Sequence, residues 1–328
     1  MLPYIAEFLG TMMLILLGDG VVANVNLNKS GMKGGGSIQI TFAWGLAVMV
    51  PAFIFGAASG ASFNPALTLA LAIDGSFDWA LVPGYIIAQF AGAFVGAVLV
   101  YILFKEQFDA TPDAGSKLGV FCTGPSVENK PLNILSEAIG TFVLVFAIKG
   151  LANVPGAAEV GLDKFLVFGI IVSVGMSLGG LTGYAINPAR DLGPRIAHAV
   201  LPIKGKGDSN WGYALVPVVG PIIGAIPCLM ILVIVDPWAA LRFFALVIGL
   251  QQFDGNILGP KILGDSTGLS AIWVLVSIVV CGGLFGFPGM VLGVPTFAVL
   301  YALVRDWVNK RLALKRLDGN GRPLDGAP

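Results

Sequence analysis

The sequence predicts an all-α membrane protein: an inverted repeat of six membrane-spanning helices and two half-helices, with a helical membrane segment appended at the C-terminus. Three observations predict it. Hydrophobic residues make up 56% of the 328-residue chain and charged residues only 12%, about half the share of a soluble domain. Apolar runs long enough to cross a bilayer recur along the first 236 residues, against the roughly 20 residues that a hydrocarbon core requires. Two short motifs return in the same order in the second half of that region.

The spans read in order as Tyr4–Val25, Ile38–Phe55, Trp79–Phe104, Leu132–Leu151, Phe165–Leu181 and Trp211–Val235. The opening "MLPYIAEFLG" has no basic stretch before its apolar run, and that run is longer than the core of a signal peptide, so it is expected to stay as the first helix. "AEFLGT" at Ala6–Thr11 returns as "SEAIGT" at Ser136–Thr141, and "SGASFNPALT" at Ser59–Thr68 returns as "TGYAINPARD" at Thr182–Asp191. The repeats cover about residues 1–104 and 132–236, joined by a polar stretch from Lys105 to Pro131. Each contributes three spans, an odd number, so the second repeat must cross the membrane upside down relative to the first.

Each Asn-Pro follows its repeat's second span closely, and what comes next is too short to cross. Asn64 to Asp74 is 11 residues, about 16 Å of helix, or half of a bilayer core of about 30 Å. Asn is a favoured N-cap and Pro a favoured first helical residue, so Asn64-Pro65 and Asn187-Pro188 read as helix starts at the membrane midplane. The residues before them, Ala58–Phe63 and Leu181–Ile186, are then expected to be non-helical. At membrane depth such backbone is tolerated only where it lines a wet cavity or is buried in protein. Inversion brings the two starts together, so that positive helix ends and side-chain amides face one lumen, an arrangement that repels cations and offers donors to a neutral hydroxyl.

Several classes are excluded or disfavoured. Lys plus Arg and Asp plus Glu are equal at 19 each, and with no basic stripe and no zinc-ligand spacing neither nucleic acid nor metal is an expected partner. Cys122, Cys228 and Cys281 are odd in number and widely spaced, so no disulfide framework is indicated. Ala88, Gly92 and Gly96, and likewise Gly220 and Gly224, form rows of small residues at four-residue spacing, which suit close helix contacts and not chemistry. Arg190, a charge at bilayer depth, should face water or a partner; an ion pair with its neighbour Asp191 is the alternative to a role in the lumen. Glu7 and Glu137 sit at equivalent positions inside spans one and four, where a carboxylate suggests proton coupling by default.

The boxes Asn64-Pro65-Ala66 and Asn187-Pro188-Ala189, the "AEFLGT" opening, "GVFCTGPS" in the connecting stretch and "VPVVGPIIGA" at Val216–Ala225 resemble the major intrinsic protein family of aquaporins and glycerol facilitators, over residues 1–236. The resemblance implies an aquaporin-like fold and a passive channel with no cofactor and no enzymatic activity. By offset from the two boxes it implies a four-residue selectivity filter of Trp44, Gly175, Tyr184 and Arg190. Trp44 with Gly175, and Asp191 directly after Arg190, resemble the glycerol type, where water-selective members would carry Phe and His at the first two places. Physically, an aromatic corner accepts the CH edge of a polyol, the forked donors of Arg190 hold its hydroxyls, and Gly175 leaves width. Tyr184 stands where phenylalanine is frequent, and Ser62 where the first box usually has histidine, which leaves the preferred polyol open. The family's counterparts of Glu7 and Glu137 hold the pore loops by accepting backbone N–H bonds, and Asp191 is grouped with them as pore-loop scaffold.

The implied function is passage of glycerol and similar small uncharged polyols, and of water, through a homotetramer in a bacterial inner membrane. A water-selective channel and an ion-coupled transporter or exporter are the alternatives. Residues 237–328, with "IGLQQFDGNILGPKILGDSTGLS" and "GGLFGFPGMVLGVP", resemble the C-terminal end of the autoinducer-2 exporter family. There Leu269–Val304 reads as a hairpin broken at Pro288-Gly289, and the run before Gln251, interrupted by Arg242, as an interfacial segment. The family topology implies a cytoplasmic N-terminus. The loop lysines alone oppose that orientation, and the basic end from Arg305 to Arg322 restores an inward excess.

Overall fold

A computed structural model of the protein describes residues 1–151, 154–226, 277, 295–299, 301 and 305. The chain divides into two units, Met1–Pro237 and Trp238–Pro328. In the second, residues 277, 295–299, 301 and 305 are helical; the expected hairpin break at Pro288-Gly289 and the interfacial run around Arg242 lie outside the described residues.

Within the first unit the described residues are helices and connecting turns, without strands. Helix α1 runs Leu2–Asn26, α2 Gly36–Ser59, α3 Pro65–Ile73 and α4 Val82–Leu103; α5 (Lys105–Ala110) and α6 (Ala114–Phe121) lie in the stretch that joins the repeats; α7 runs Lys130–Leu151, α8 Leu162–Thr182, α9 Pro188–Val200 and α10 Val216–Ala225. The helices α1, α2, α4, α7 and α8 are each long and apolar enough to cross a membrane, so this is a multi-pass membrane protein. Of the expected sixth span, Trp211–Val235, the helical part within the described residues is Val216–Ala225. The joining stretch is more ordered than its polarity suggested: Asp113 caps α6 by accepting from the Ser116 N–H at 2.6 Å, and hydrogen bonding from Ser116, side chain first and backbone second, holds its carboxyl below the usual carboxylate range.

The inversion appears in the packing. In the first repeat α1 packs against α2 and α4, and in the second α7 packs against α8 and α10. Helices α2 and α8 meet across the repeats, and each half-helix crosses over: α9 lies on α4, and α3 on α10. These approaches need small residues because apolar lipid offers no hydrophobic drive for one apolar helix to bury against another. A Cβ on Gly92 would stand 2.2 Å from the Phe8 carbonyl of α1, and one on Gly224 would stand 2.1 Å from the Ala138 carbonyl of α7. The small-residue rows are therefore helix contacts, as their spacing predicts. Outward faces stay apolar, with Ile38, Phe42, Leu46 and Phe53 exposed along α2 and Leu132, Leu135, Ile139 and Phe146 along α7.

Half-helix α3 has 9 residues and α9 has 13, about 14 and 20 Å at 1.5 Å per residue, both short of a bilayer core. The segments before them are shorter than the sequence suggests. Ala58 and Ser59 belong to α2, and Leu181 and Thr182 to α8. Each helix continues until a left-handed glycine, Gly60 at φ 79° or Gly183 at φ 82°, stops it. Glycine takes that conformation without Cβ strain.

Candidate functional site

Five residues on each side, 60–64 and 183–187, connect a spanning helix to a half-helix, and part of their backbone is not one that side chains favour. Ala61 and Phe63 have φ of 55° and 47°, and Tyr184 and Ile186, at the same places in the second repeat, 39° and 41°. Left-handed backbone at non-glycine residues costs free energy and persists only where its surroundings enforce it. The enforcement comes from the two buried glutamates. Glu7 Oε1 accepts from Ser59 Oγ at 2.7 Å and the Ser62 N–H at 3.1 Å, and Oε2 from the Phe63 N–H at 2.8 Å and Gln89 Nε2 at 2.7 Å. Glu137 repeats the pattern: Oε1 accepts from Thr182 Oγ1 at 2.6 Å and the Ala185 N–H at 3.0 Å, and Oε2 from the Ile186 N–H at 2.7 Å. Both carboxylates are spent on holding turns. Gln89, not singled out by its sequence context, is the further fixture of the first turn, and it also donates to Thr68 Oγ1 at 2.9 Å.

The two Asn-Pro boxes meet. Asn64 Oδ1 accepts from the Ala66 N–H at 2.9 Å, and Asn187 Oδ1 from the Ala189 and Arg190 N–H groups at 3.0 and 3.2 Å, which caps α3 and α9. Their amide nitrogens cross between repeats. Asn64 Nδ2 donates to the Ile186 carbonyl and Asn187 Nδ2 to the Phe63 carbonyl, both at 2.8 Å. Each amide has two N–H groups and uses one in this way, so one donor on each remains for a solute. Pro65 and Pro188 take the first helical positions and Ala66 and Ala189 the second, all four buried.

Two cavities open toward this junction. One, of about 540 Å³, is lined by Leu14, Val48, Gly60, Ser62, Asn64 and Asn187 among others; the second is lined by Thr41, Cys122, Gly175 and Gly183 among others. Trp44, Tyr184 and Arg190 line both. These residues therefore stand where the cavities abut, and Gly175 stands on the second side. At roughly 30 Å³ per water the first cavity has room for many solvent molecules.

Local packing explains the residue types there. The Arg190 guanidinium carbon lies 4.1 Å from the Trp44 ring centroid, a cation–π arrangement, and Nη1 donates to the Phe121 carbonyl at 3.2 Å. A Cβ on Gly175 would stand 2.6 Å from the Thr41 methyl and 2.9 Å from the Tyr184 ring, so no larger residue enters without moving Tyr184. A Cβ on Gly18 of α1 would stand 2.3 Å from the Trp44 ring, so the indole is seated on a glycine.

One alternative reading of Arg190 is corrected. Its neighbour Asp191 pairs instead with Arg195, at 2.8 Å to Nε and 2.7 Å to Nη2, and accepts from the Thr123 N–H and hydroxyl, each at 2.7 Å. Arg195 in turn donates to the carbonyls of Ser209, Asn210 and Thr123. One helical turn separates residues 191 and 195, which places them on one face, whereas successive residues point apart. The opposite charge beside Arg190 is Asp19 of α1, with Oδ1 3.6 Å from Nη1. Glu7 and Glu137 are therefore not the whole of the intramembrane carboxylates. Asp19 lacks a repeat partner, which is why a search by internal repetition passes over it. The signal that finds it is an aspartate inside an apolar span of a chain so poor in charge.

Comparison with known proteins covers both parts of the chain. Residues 211–309 match the family model of AI-2E family transporters. A probable glycerol uptake facilitator protein of Thermotoga maritima is 55% identical over 225 residues, which cover 68% of this chain and 94% of that protein. A glycerol uptake facilitator protein of Bacillus subtilis is also 55% identical, over 68% of this chain and 81% of its own length. The X-ray structure of the aquaglyceroporin from Plasmodium falciparum superposes with a TM-score of 0.62 at 30% identity, covering 73% of this chain and 98% of that one. The major intrinsic protein model matches residues 2–231, a stretch that holds every residue of the junction described above, and the chain belongs to the major intrinsic protein family.

Proposed function

We propose that this protein is a passive channel for glycerol and similar small uncharged polyols, that it also passes water, and that it works as a homotetramer in a bacterial inner membrane. The observation that carries the reading is the junction between the cavities, where the Arg190 guanidinium is seated on the Trp44 ring and Gly175, with no side chain of its own, leaves the room that the Tyr184 ring takes. A polyol has a polar edge and an apolar edge. The guanidinium offers donors to its hydroxyls, while the indole and the apolar residues of the first cavity, Leu14, Val48, Leu67 and Ile171, face its CH groups.

The Asn-Pro junction supplies the next donors. Every backbone N–H from Gly60 to Phe63 already has a protein acceptor, so the backbone of that segment has only carbonyl oxygens left for a solute. Beside it the helix starts of α3 and α9 converge, and their positive ends disfavour protons and other cations. Neither Glu7, held by four donors, nor Glu137, held by three, is left free for coupling. Residues 1–236 are the channel in this reading, since every side chain named at the junction lies within them. The names borne by the relatives at 55% identity, both glycerol uptake facilitators, support the polyol assignment.

The test is stopped-flow light scattering on proteoliposomes under an inward glycerol gradient, with and without a proton or sodium gradient. Glycerol flux should be downhill, non-saturating over a wide range and indifferent to either ion. Accumulation against a glycerol gradient would establish the ion-coupled alternative, and water flux without glycerol flux would establish the water-selective one.

A further inference from the structure

Asp19 is the one feature of the junction that neither the Asn-Pro boxes nor the glutamate scaffold absorbs. It lies two turns before the end of α1, its residue is 0% exposed, and neither carboxylate oxygen has a hydrogen-bond partner. A carboxylate buried in this way is costly unless an opposite charge compensates it. The compensating charge is Arg190, whose Nη1 lies 3.6 Å from Oδ1, outside hydrogen-bonding range and well inside the range of a strong Coulomb interaction. The other buried arginine among the described residues, Arg195, is committed to Asp191 at 2.7 Å. Helix α1 thus backs the junction with two adjacent residues, Gly18 giving room to the Trp44 ring and Asp19 facing the guanidinium that lies on that ring.

We propose that Asp19 is the counter-ion of the junction, cancelling the charge of Arg190 so that the pore presents hydrogen-bond donors to neutral polyols without offering a net positive site to small anions. The proposal rests on the channel reading above. An uncompensated guanidinium in a narrow, partly dry passage, flanked by the positive ends of α3 and α9, would attract anions. With the carboxylate behind it, the same guanidinium keeps its N–H groups for hydroxyls while its long-range field is largely removed. Asp19 touches no permeating solute and acts through Arg190, so it is a positioning and charge-setting residue.

The experiment uses the full chain in proteoliposomes and nitrate as the probe, since nitrate is small and stays charged at neutral pH. Potential-driven nitrate entry and glycerol flux are measured for the wild type, Asp19→Asn, Asp19→Ala and the pair Asp19→Asn with Arg190→Gln. Wild-type vesicles should be tight to nitrate. Asp19→Asn should raise nitrate entry about tenfold or more, a factor that one unit charge at a poorly solvated site readily supplies, and the double variant, neutral again, should return to the wild-type level. Asp19→Ala should behave as Asp19→Asn. If both single variants fail to insert while the double variant inserts, the stranded guanidinium is the cause and the pairing stands. An inserted Asp19→Asn that stays tight to nitrate would overturn the proposal. So would a double variant that leaks as the single does, or failure of the single and double variants alike to insert. Glycerol flux of the wild type, read in the same vesicles, fails separately if the polyol assignment is wrong.

Discussion

Asn187 reaches across the repeats to Phe63, its Nδ2 donating to the Phe63 carbonyl at 2.8 Å, while the N–H of the same Phe63 is held by Glu7 at 2.8 Å. One strained residue, at φ 47°, is therefore gripped by a carboxylate of its own repeat and an amide of the other. Ile186 is gripped in the same way by Glu137 and Asn64. The lumen is built by this reciprocity, since neither repeat can complete its own turn.

Glu7→Gln should lower both stability and flux per inserted molecule. All four bonds that Glu7 accepts come from donors, two of them backbone N–H groups on different carboxylate oxygens, so an amide nitrogen faces a donor in either orientation. A buried donor left unmatched costs about 1–3 kcal/mol, which a lowered unfolding midpoint in detergent would register. Adding Gln89→Glu should not rescue it, because Gln89 meets only Oε2 and both oxygens are needed by the turn. Full rescue by the double variant would show that the Gln89 contact, and not the turn, is what Glu7 serves.

Gly175→Ala should reduce glycerol permeation more than water permeation. The added methyl would stand 2.9 Å from the Tyr184 ring and 2.6 Å from the Thr41 methyl, so the ring must move, and Tyr184 lines both cavities. Gly175→His with Trp44→Phe should carry the shift further, since bulk and a ring donor are added at one place and the aromatic face offered to CH groups shrinks at the other. An unchanged ratio of glycerol to water permeability in the double variant would place the constriction elsewhere.

Asp191→Asn should be severe for assembly. It leaves the Arg195 guanidinium buried with carbonyl partners only, and breaking a buried pair from one side costs about 3–5 kcal/mol. It also weakens the anchor of Thr123, whose N–H and hydroxyl both donate to Asp191. Yield of folded protein in membranes should fall sharply, and limited proteolysis should show new cleavage within residues 122–131. Normal yield with normal flux would mean that the Arg195 carbonyl contacts suffice.

Removing residues 237–328 should leave glycerol flux unchanged per correctly inserted molecule. Every side chain discussed at the junction lies between Glu7 and Asn210. Insertion itself is a separate readout, since the removed part carries the basic residues from Arg305 to Arg322 that favour a cytoplasmic C-terminus. A truncated protein that inserts and assembles but conducts nothing would show that the C-terminal part completes the channel.

The sequence by itself determined five of the six expected spans, the half-helices and the repeat, because each rests on a local count: the apolar length that a bilayer requires, the Asn-Pro start and a recurring motif. The junction residues Trp44, Gly175, Tyr184 and Arg190 are nameable only through the family resemblance, by its offsets from those starts; Trp44, Tyr184 and Arg190 line both cavities, and Gly175 lines the second. Only the tertiary structure decided the partners. Asp191 pairs with Arg195 and not with Arg190, because one helical turn aligns side chains and a single step does not. Asp19 meets Arg190 across 171 positions of chain, a closeness that no periodicity encodes. The turns are about two residues shorter than the sequence suggests, because Ser59 and Thr182 stay helical while their hydroxyls reach the glutamates, and it is the left-handed glycine after each that ends the helix. Local rules govern where backbone hydrogen bonds are closed. Long-range packing governs which buried charge answers which.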